Sequence, residues 1–154
     1  MLDKWPDMVS CVRSHGRLRW GEQMPKTILV VEDNAMNMKL FCEILEGMGV
    51  TSLCAPDGQT GLDLALNQRP DLILLDMQLP DISGLDVAQI IKANSDIKHI
   101  PIIAVTASVM KGDEERIMAS GCDVYVSKPV QIAEFMRVIR QVLDNPPGAP
   151  AAKI

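Results

Sequence analysis

A chain of 154 residues with 47% apolar and 23% charged side chains has the length of one domain with short flanks and the composition of a packed one, which argues against global disorder and against a second folded module. The net charge is −5, and the segment before Pro25 holds four bases against three acids, leaving 11 bases against 17 acids in the rest. So acidic a body repels phosphodiester backbones and anionic headgroups, so neither nucleic acid nor a membrane is an expected partner. No uncharged apolar run approaches the roughly 18 residues of a membrane span.

Residues 1–24 have no helical or strand period, although they hold both tryptophans, Trp5 and Trp20, and they lack the sustained apolar stretch of a secretory signal. They read as an extension, disordered or upstream of a true start at Met24. The domain is expected over 25–144. Within it, short apolar runs at 27–31, 50–55, 71–75, 101–105 and 123–126 show no in-out alternation, the pattern of strands covered on both faces of a parallel sheet. Longer amphipathic stretches separate them. Met38, Phe41, Leu45 and Met48 repeat at helical spacing before Gly49; Ser83 and Asp86 form a capping-box pattern ahead of Leu85, Ala88 and Ile91; Ile132, Phe135, Met136, Ile139, Val142 and Leu143 make the last stripe. From Asn145 the Pro-rich end, 145–154, cannot be helix or central strand and reads as a tail. Five βα units in succession predict a doubly wound α/β domain, with strand order 2-1-3-4-5. Cys11, Cys42, Cys54 and Cys122 lie far apart with no CxxC pair, which reads as reduced thiols in a cytoplasmic protein.

Ligands of open parallel sheets bind beyond the C-terminal strand ends. Those positions carry Glu32 and Asp33 after the first run, Asp76 after the third, Thr106 after the fourth, and Ser127, Lys128 and Pro129 after the fifth. Under the predicted order, the first and third strands are neighbours and three carboxylates converge. Their repulsion calls for a cation, and Mg2+ suits a site of few carboxylates, waters and a phosphate. Asp76 sits between a buried run and a loop, placed to act as a nucleophile on phosphorus. Lys128 would supply a positive point charge and Thr106 a hydroxyl.

These residues, set in Val30-Val31-Glu32-Asp33-Asn34, in Asp71 to Pro80, in Thr106-Ala107 and in Ser127-Lys128-Pro129, resemble the receiver domain of bacterial two-component response regulators, of the CheY-like superfamily, over roughly 26–144. The resemblance implies that Asp33 and Asp76 ligate Mg2+ with the Gln78 backbone carbonyl, Glu32 acting through water. It further implies that Asp76 takes a phosphoryl group from a histidine kinase or phosphotransfer protein, that Lys128 contacts that group, and that Thr106 and Tyr125 switch together. The partner-reading face would be 109–143, with Lys128-Pro129 cis. Such a receiver is a phosphoacceptor that catalyses its own phosphorylation and dephosphorylation, not a turnover enzyme, and a monomer or weak dimer is expected. The segments Asn37–Phe41, Gln78–Leu85, His99–Ala107 and Met110–Ile117 are most similar to single-domain members that act in cell division and polarity. The absence of an output module after Asn145 points to signalling by protein contact. A receiver module serving a hybrid kinase is the alternative. A haloacid-dehalogenase-type phosphatase would need a second acid where Gln78 stands, and in a flavodoxin-like cofactor binder Glu32-Asp33-Asn34 would repel the cofactor phosphate.

Overall fold

The computed structural model describes residues 26–107 and 112–144. The expectations for 1–24 and 145–154, for Cys11 and for residues 108–111 of the partner face therefore lie outside the described residues. Strands β1 (Thr27–Val31), β2 (Thr51–Ala55), β3 (Leu72–Asp76), β4 (Ile102–Thr106) and β5 (Val124–Ser127) alternate with helices α1 (Ala35–Gly47), α2 (Gly58–Gln68), α3 (Gly84–Ala93), α4 (Asp113–Ala119) and α5 (Ile132–Asp144). The strands form one sheet in the expected order β2-β1-β3-β4-β5, and each pairing is parallel, as the alternation of runs and amphipathic stretches predicts. Among the described residues no helix is long and apolar enough to cross a membrane.

Successive strand residues point to opposite faces, and the core divides accordingly. Leu29, Val31, Ile73 and Leu75 pack with Leu62, Val87, Ile91 and Ile117 from α2, α3 and α4; Ile28, Val30, Leu72 and Leu74 pack with Phe41 and Leu45 of α1 and Phe135 and Ile139 of α5. Phe41 and Phe135 meet with ring centroids 5.3 Å apart and planes tilted by 37°, a contact beyond simple area burial. Strands β3 and β4 are buried throughout, whereas β5 is only half-buried. Like β2 at the other end of the sheet, it is an edge strand with a strand neighbour on one side only. Two further expectations are corrected. Ile132, placed in the buried stripe of α5, is 52% exposed: it is the first residue of the helix, whose buried residues begin at Phe135. Cys122 is a free thiol and the Cys42 Sγ stands 3.1 Å from Cys54 Sγ, but Cys54 is disulfide-bonded.

The caps set where the helices begin. Asn34 Oδ1 accepts the N–H groups of Met36 and Asn37, each at 3.0 Å, so that the cap of α1 directly follows Asp33. Ser83 Oγ accepts the Leu85 N–H at 3.2 Å, starting α3. Gly49, at φ +77°, leaves α1 in the left-handed conformation expected of a helix stop.

Candidate functional site

Strand register brings the acids together. Val31 pairs with Leu75, so Glu32, the next residue, comes level with Asp76, and Asp33 begins the loop above them. Asp76 pairs with Val105 and Thr106 with Ser127, which carries Thr106 and Lys128 to the same end of the sheet. One oxygen from each of Glu32, Asp33 and Asp76 lies within 4.8 Å of the others. Glu32 is fully buried, Asp76 is 5% exposed and Asp33 is half-buried.

Lys128 reaches into this cluster from the β5–α5 loop. Its Nζ stands 3.1 and 3.2 Å from the two carboxylate oxygens of Glu32 and 3.5 Å from Asp76 Oδ2. Asn37 Nδ2, one turn into α1, donates to Glu32 Oε1 at 2.8 Å. The Gln78 N–H donates to Asp76 Oδ1 at 3.1 Å, and the Met77 N–H to the Val105 carbonyl at 3.1 Å, so the Asp76 carboxylate and the backbone just after it are both held. The Lys128 N–H donates to the Thr106 carbonyl at 2.7 Å, and the peptide bond from Lys128 to Pro129 is cis.

Burial is the chief force pushing the Glu32 carboxyl up to about 7; a hydrogen bond shared with Asp76 and the charge of Asp76 add to it, while Asn37 and Lys128 oppose it. Three carboxylates facing one ammonium leave the cluster short of positive charge. This donor set, hard oxygens only and close enough to share one ion, fits Mg2+, which takes one or two carboxylates and keeps several waters. Ca2+ asks for six to eight oxygens.

Thr106 is buried and borders a cavity of about 180 Å³ between the β3–α3 loop and α4, shared with Met77, Gln78, Ser83 and Arg116. Tyr125 lies two residues before Ser127, beside Ala104 in register, half-buried against the α2–α3–α4 side of the sheet. A hydrogen bond between the Tyr125 hydroxyl and Glu114 of α4, followed by slight desolvation, raises its pKa above the usual phenol range. Glu32, Asp33, Asp76 and Lys128 thus meet at one point. Gln78 contributes its amide to Asp76, Thr106 borders the loop, and Tyr125 stands below it in the sheet.

Three contributors escape a linear reading. Asn37 as the Glu32 partner could have been found from its place one helical turn after the Asn34 cap. Gly84 is needed because a Cβ there would lie 2.5 Å from the Asp76 carbonyl oxygen and 2.6 Å from Met77 Cα. Asp81 bonds residues more than twenty positions earlier in the chain, and no local signal marks that contact.

Residues 28–140 match the family model described as the response regulator receiver domain. The chain is 49% identical over 122 residues to the polar-differentiation response regulator DivK of Brucella anthropi, an alignment covering 79% of this chain and 99% of that protein; DivK of Brucella ovis is 48% identical over the same share. Among solved structures, the receiver domain of the sensor histidine kinase PA1611 from Pseudomonas aeruginosa superposes with a TM-score of 0.74 at 32% identity, over 79% of this chain and all of that one, and has a magnesium ion coordinated in its active-site cleft. A CheY-like receiver domain protein from Methanospirillum hungatei gives a TM-score of 0.73 at 28% identity, over 79% and 95% of the two chains. Sheet order, strand-end acids and sequence agree: the chain belongs to the response regulator receiver domain family.

Proposed function

We propose that this receiver, spanning 25–144, accepts a phosphoryl group on Asp76 from a phosphohistidine of a histidine kinase or phosphotransfer protein, and passes the signal on by protein contact. The observation that carries this reading is the meeting of Glu32, Asp33 and Asp76 with the Lys128 ammonium at one edge of the sheet. An Asp76 oxygen attacks phosphorus, the P–N bond breaks, and the imidazole departs with the electron pair. The Gln78 and Met77 amides hold Asp76 in line for that attack. Lys128, shared between Glu32 and Asp76, pairs with a phosphoryl oxygen as charge arrives, and the Thr106 hydroxyl donates to another. The residues that would hold Mg2+ are Asp33, Asp76 and the Gln78 carbonyl, with Glu32 acting through water. When bound, the ion supplies charge neutralisation at the phosphoryl oxygens.

Thr106 and Tyr125 are the switch pair in this reading: movement of the hydroxyl toward the phosphoryl group makes room for the ring, shifting an existing equilibrium of the 109–143 face. The likeness to DivK supports a role in cell division and polarity, in the cytoplasm. The likeness to a receiver of a sensor histidine kinase favours a second reading, a relay module that hands the phosphoryl group to another histidine.

Labelling by acetyl phosphate tests the chemistry. It should be stoichiometric, Mg2+-dependent, sensitive to hydroxylamine and abolished in Asp76→Asn, with the circular dichroism spectrum unchanged. Labelling that persists in that variant, or multiple-turnover hydrolysis of a phosphomonoester, would falsify the assignment. Return of the label from the wild-type chain to a phosphotransfer protein separates the relay reading from the terminal one.

A further inference from the structure

In the loop between β3 and α3, the Asp81 side chain reaches back to the start of α2. Its Oδ1 accepts the Gly58 N–H at 2.8 Å and its Oδ2 the Gln59 N–H at 2.9 Å. The helix has a cap of its own, since Asp57 Oδ1 accepts the Thr60 N–H at 2.7 Å. Two carboxylates therefore share the first-turn amides of one helix, where local capping calls for one. The second comes from the loop that follows the phosphoacceptor. The fit is close: a Cβ at Gly58 would lie 3.1 Å from Val87 Cγ2, 3.2 Å from Ile82 Cβ and 3.3 Å from Asp81 Oδ1. Desolvation is the largest single influence and works against the charge, but the backbone amides of Gly58, Gln59, Ile82 and Asp81 together outweigh it and hold the Asp81 carboxyl below its usual range.

We propose that Asp81 is a positioning residue for the metal site: its two-pronged bond to the start of α2 fixes the β3–α3 loop and so sets where the Gln78 carbonyl lies. The inference rests on the reading of Gln78 as a metal ligand. A backbone ligand has no rotamers with which to compensate for a displaced loop, so its place is decided by whatever anchors the chain on either side. On the strand side the anchors are the Met77 and Gln78 amides; on the helix side Gly84 N–H donates to the Met77 carbonyl at 3.1 Å. Asp81 ties the stretch between them to a different element. Hydrogen bonds to an ionised acceptor are among the stronger ones, and using both oxygens fixes orientation as well as distance.

The test is an NMR titration of the full-length, 15N-labelled chain with MgCl2, following the Met77 and Gln78 amides. Asp81→Asn keeps the shape but sets an NH2 group against one of two N–H donors; Asp81→Ala removes both bonds. Asp57→Ala is the control, because it strips α2 of its own cap without touching the loop. Both Asp81 variants should bind Mg2+ about tenfold more weakly, the low end of what partners of metal ligands contribute, while Asp57→Ala binds as the wild type does even though all three melt earlier. Unchanged affinity in the Asp81 variants would overturn the proposal, and so would an equal loss in Asp57→Ala, which would reduce Asp81 to a helix cap. A wild-type chain with no saturable Mg2+ response would instead sink the metal reading beneath it.

Discussion

Glu32→Gln isolates the electrostatic cost of the acidic cluster. The Glu32 carboxyl is fully buried and its pKa is about 7 instead of 4.5, a displacement worth about 3 kcal/mol at roughly 1.4 kcal/mol per pH unit. Because the folded-state value is raised, the associated stability is fully present below pH 4.5 and is lost as pH rises through 7. Without divalent metal, the wild-type chain should therefore lose about 3 kcal/mol from this group between pH 4.5 and 8. Glutamine keeps the shape and an acceptor for Asn37 or Lys128 but does not ionise, and Lys128 retains Asp76 as a partner. Urea unfolding followed by circular dichroism in EDTA, at steps from pH 4.5 to 8.5, should show the two proteins equal at the acid end and the variant more stable by about 2 to 3 kcal/mol at the alkaline end. Adding Mg2+ at pH 8 should raise the wild type, by mass action on the folded state, more than the variant. Parallel pH profiles for the two chains would refute the argument, since Glu32 would then carry no special burden.

Gly84→Ala should destabilise the fold by about 1 to 3 kcal/mol, as overpacking does, and slow acetyl phosphate labelling, because its Cβ would displace the Asp76 carbonyl and Met77; thermal melts and labelling rates measured together check both effects. Asn34→Ala leaves the Met36 and Asn37 amides without their acceptor and should lower stability by about 1 kcal/mol. Since Asn37 also bonds Glu32, it should weaken Mg2+ binding more than its stability loss alone would suggest, which calorimetric titration can read.

The parallel sheet was legible because a strand buried on both faces is a short, continuous apolar run, and that is a property of adjacent residues; the order 2-1-3-4-5 came with the fold type expected for such units, and the pairing itself is tertiary. Ile28 to Val31 and Leu72 to Leu75 are such runs, and so the acids that follow them could be assigned to the strand ends. The helix stop at Gly49 and the cap at Ser83 are local in the same sense. What depended on tertiary structure is what joins residues distant in the chain. Lys128 meets Glu32 across 96 positions, Asp81 reaches Gly58 across 23, and Gly84 is required by a backbone that passes over it. Burial of Glu32, and with it the raised pKa, arises only when α1, β3 and the β5–α5 loop close around it. The edge position of β5 and the exposure of Ile132 follow likewise from which neighbours are present. Apolar pattern along a chain dictates which elements form, since burial is proportional to the surface each residue brings; contact between two charges or two backbones depends on distance in space, and that is fixed only when the elements have packed.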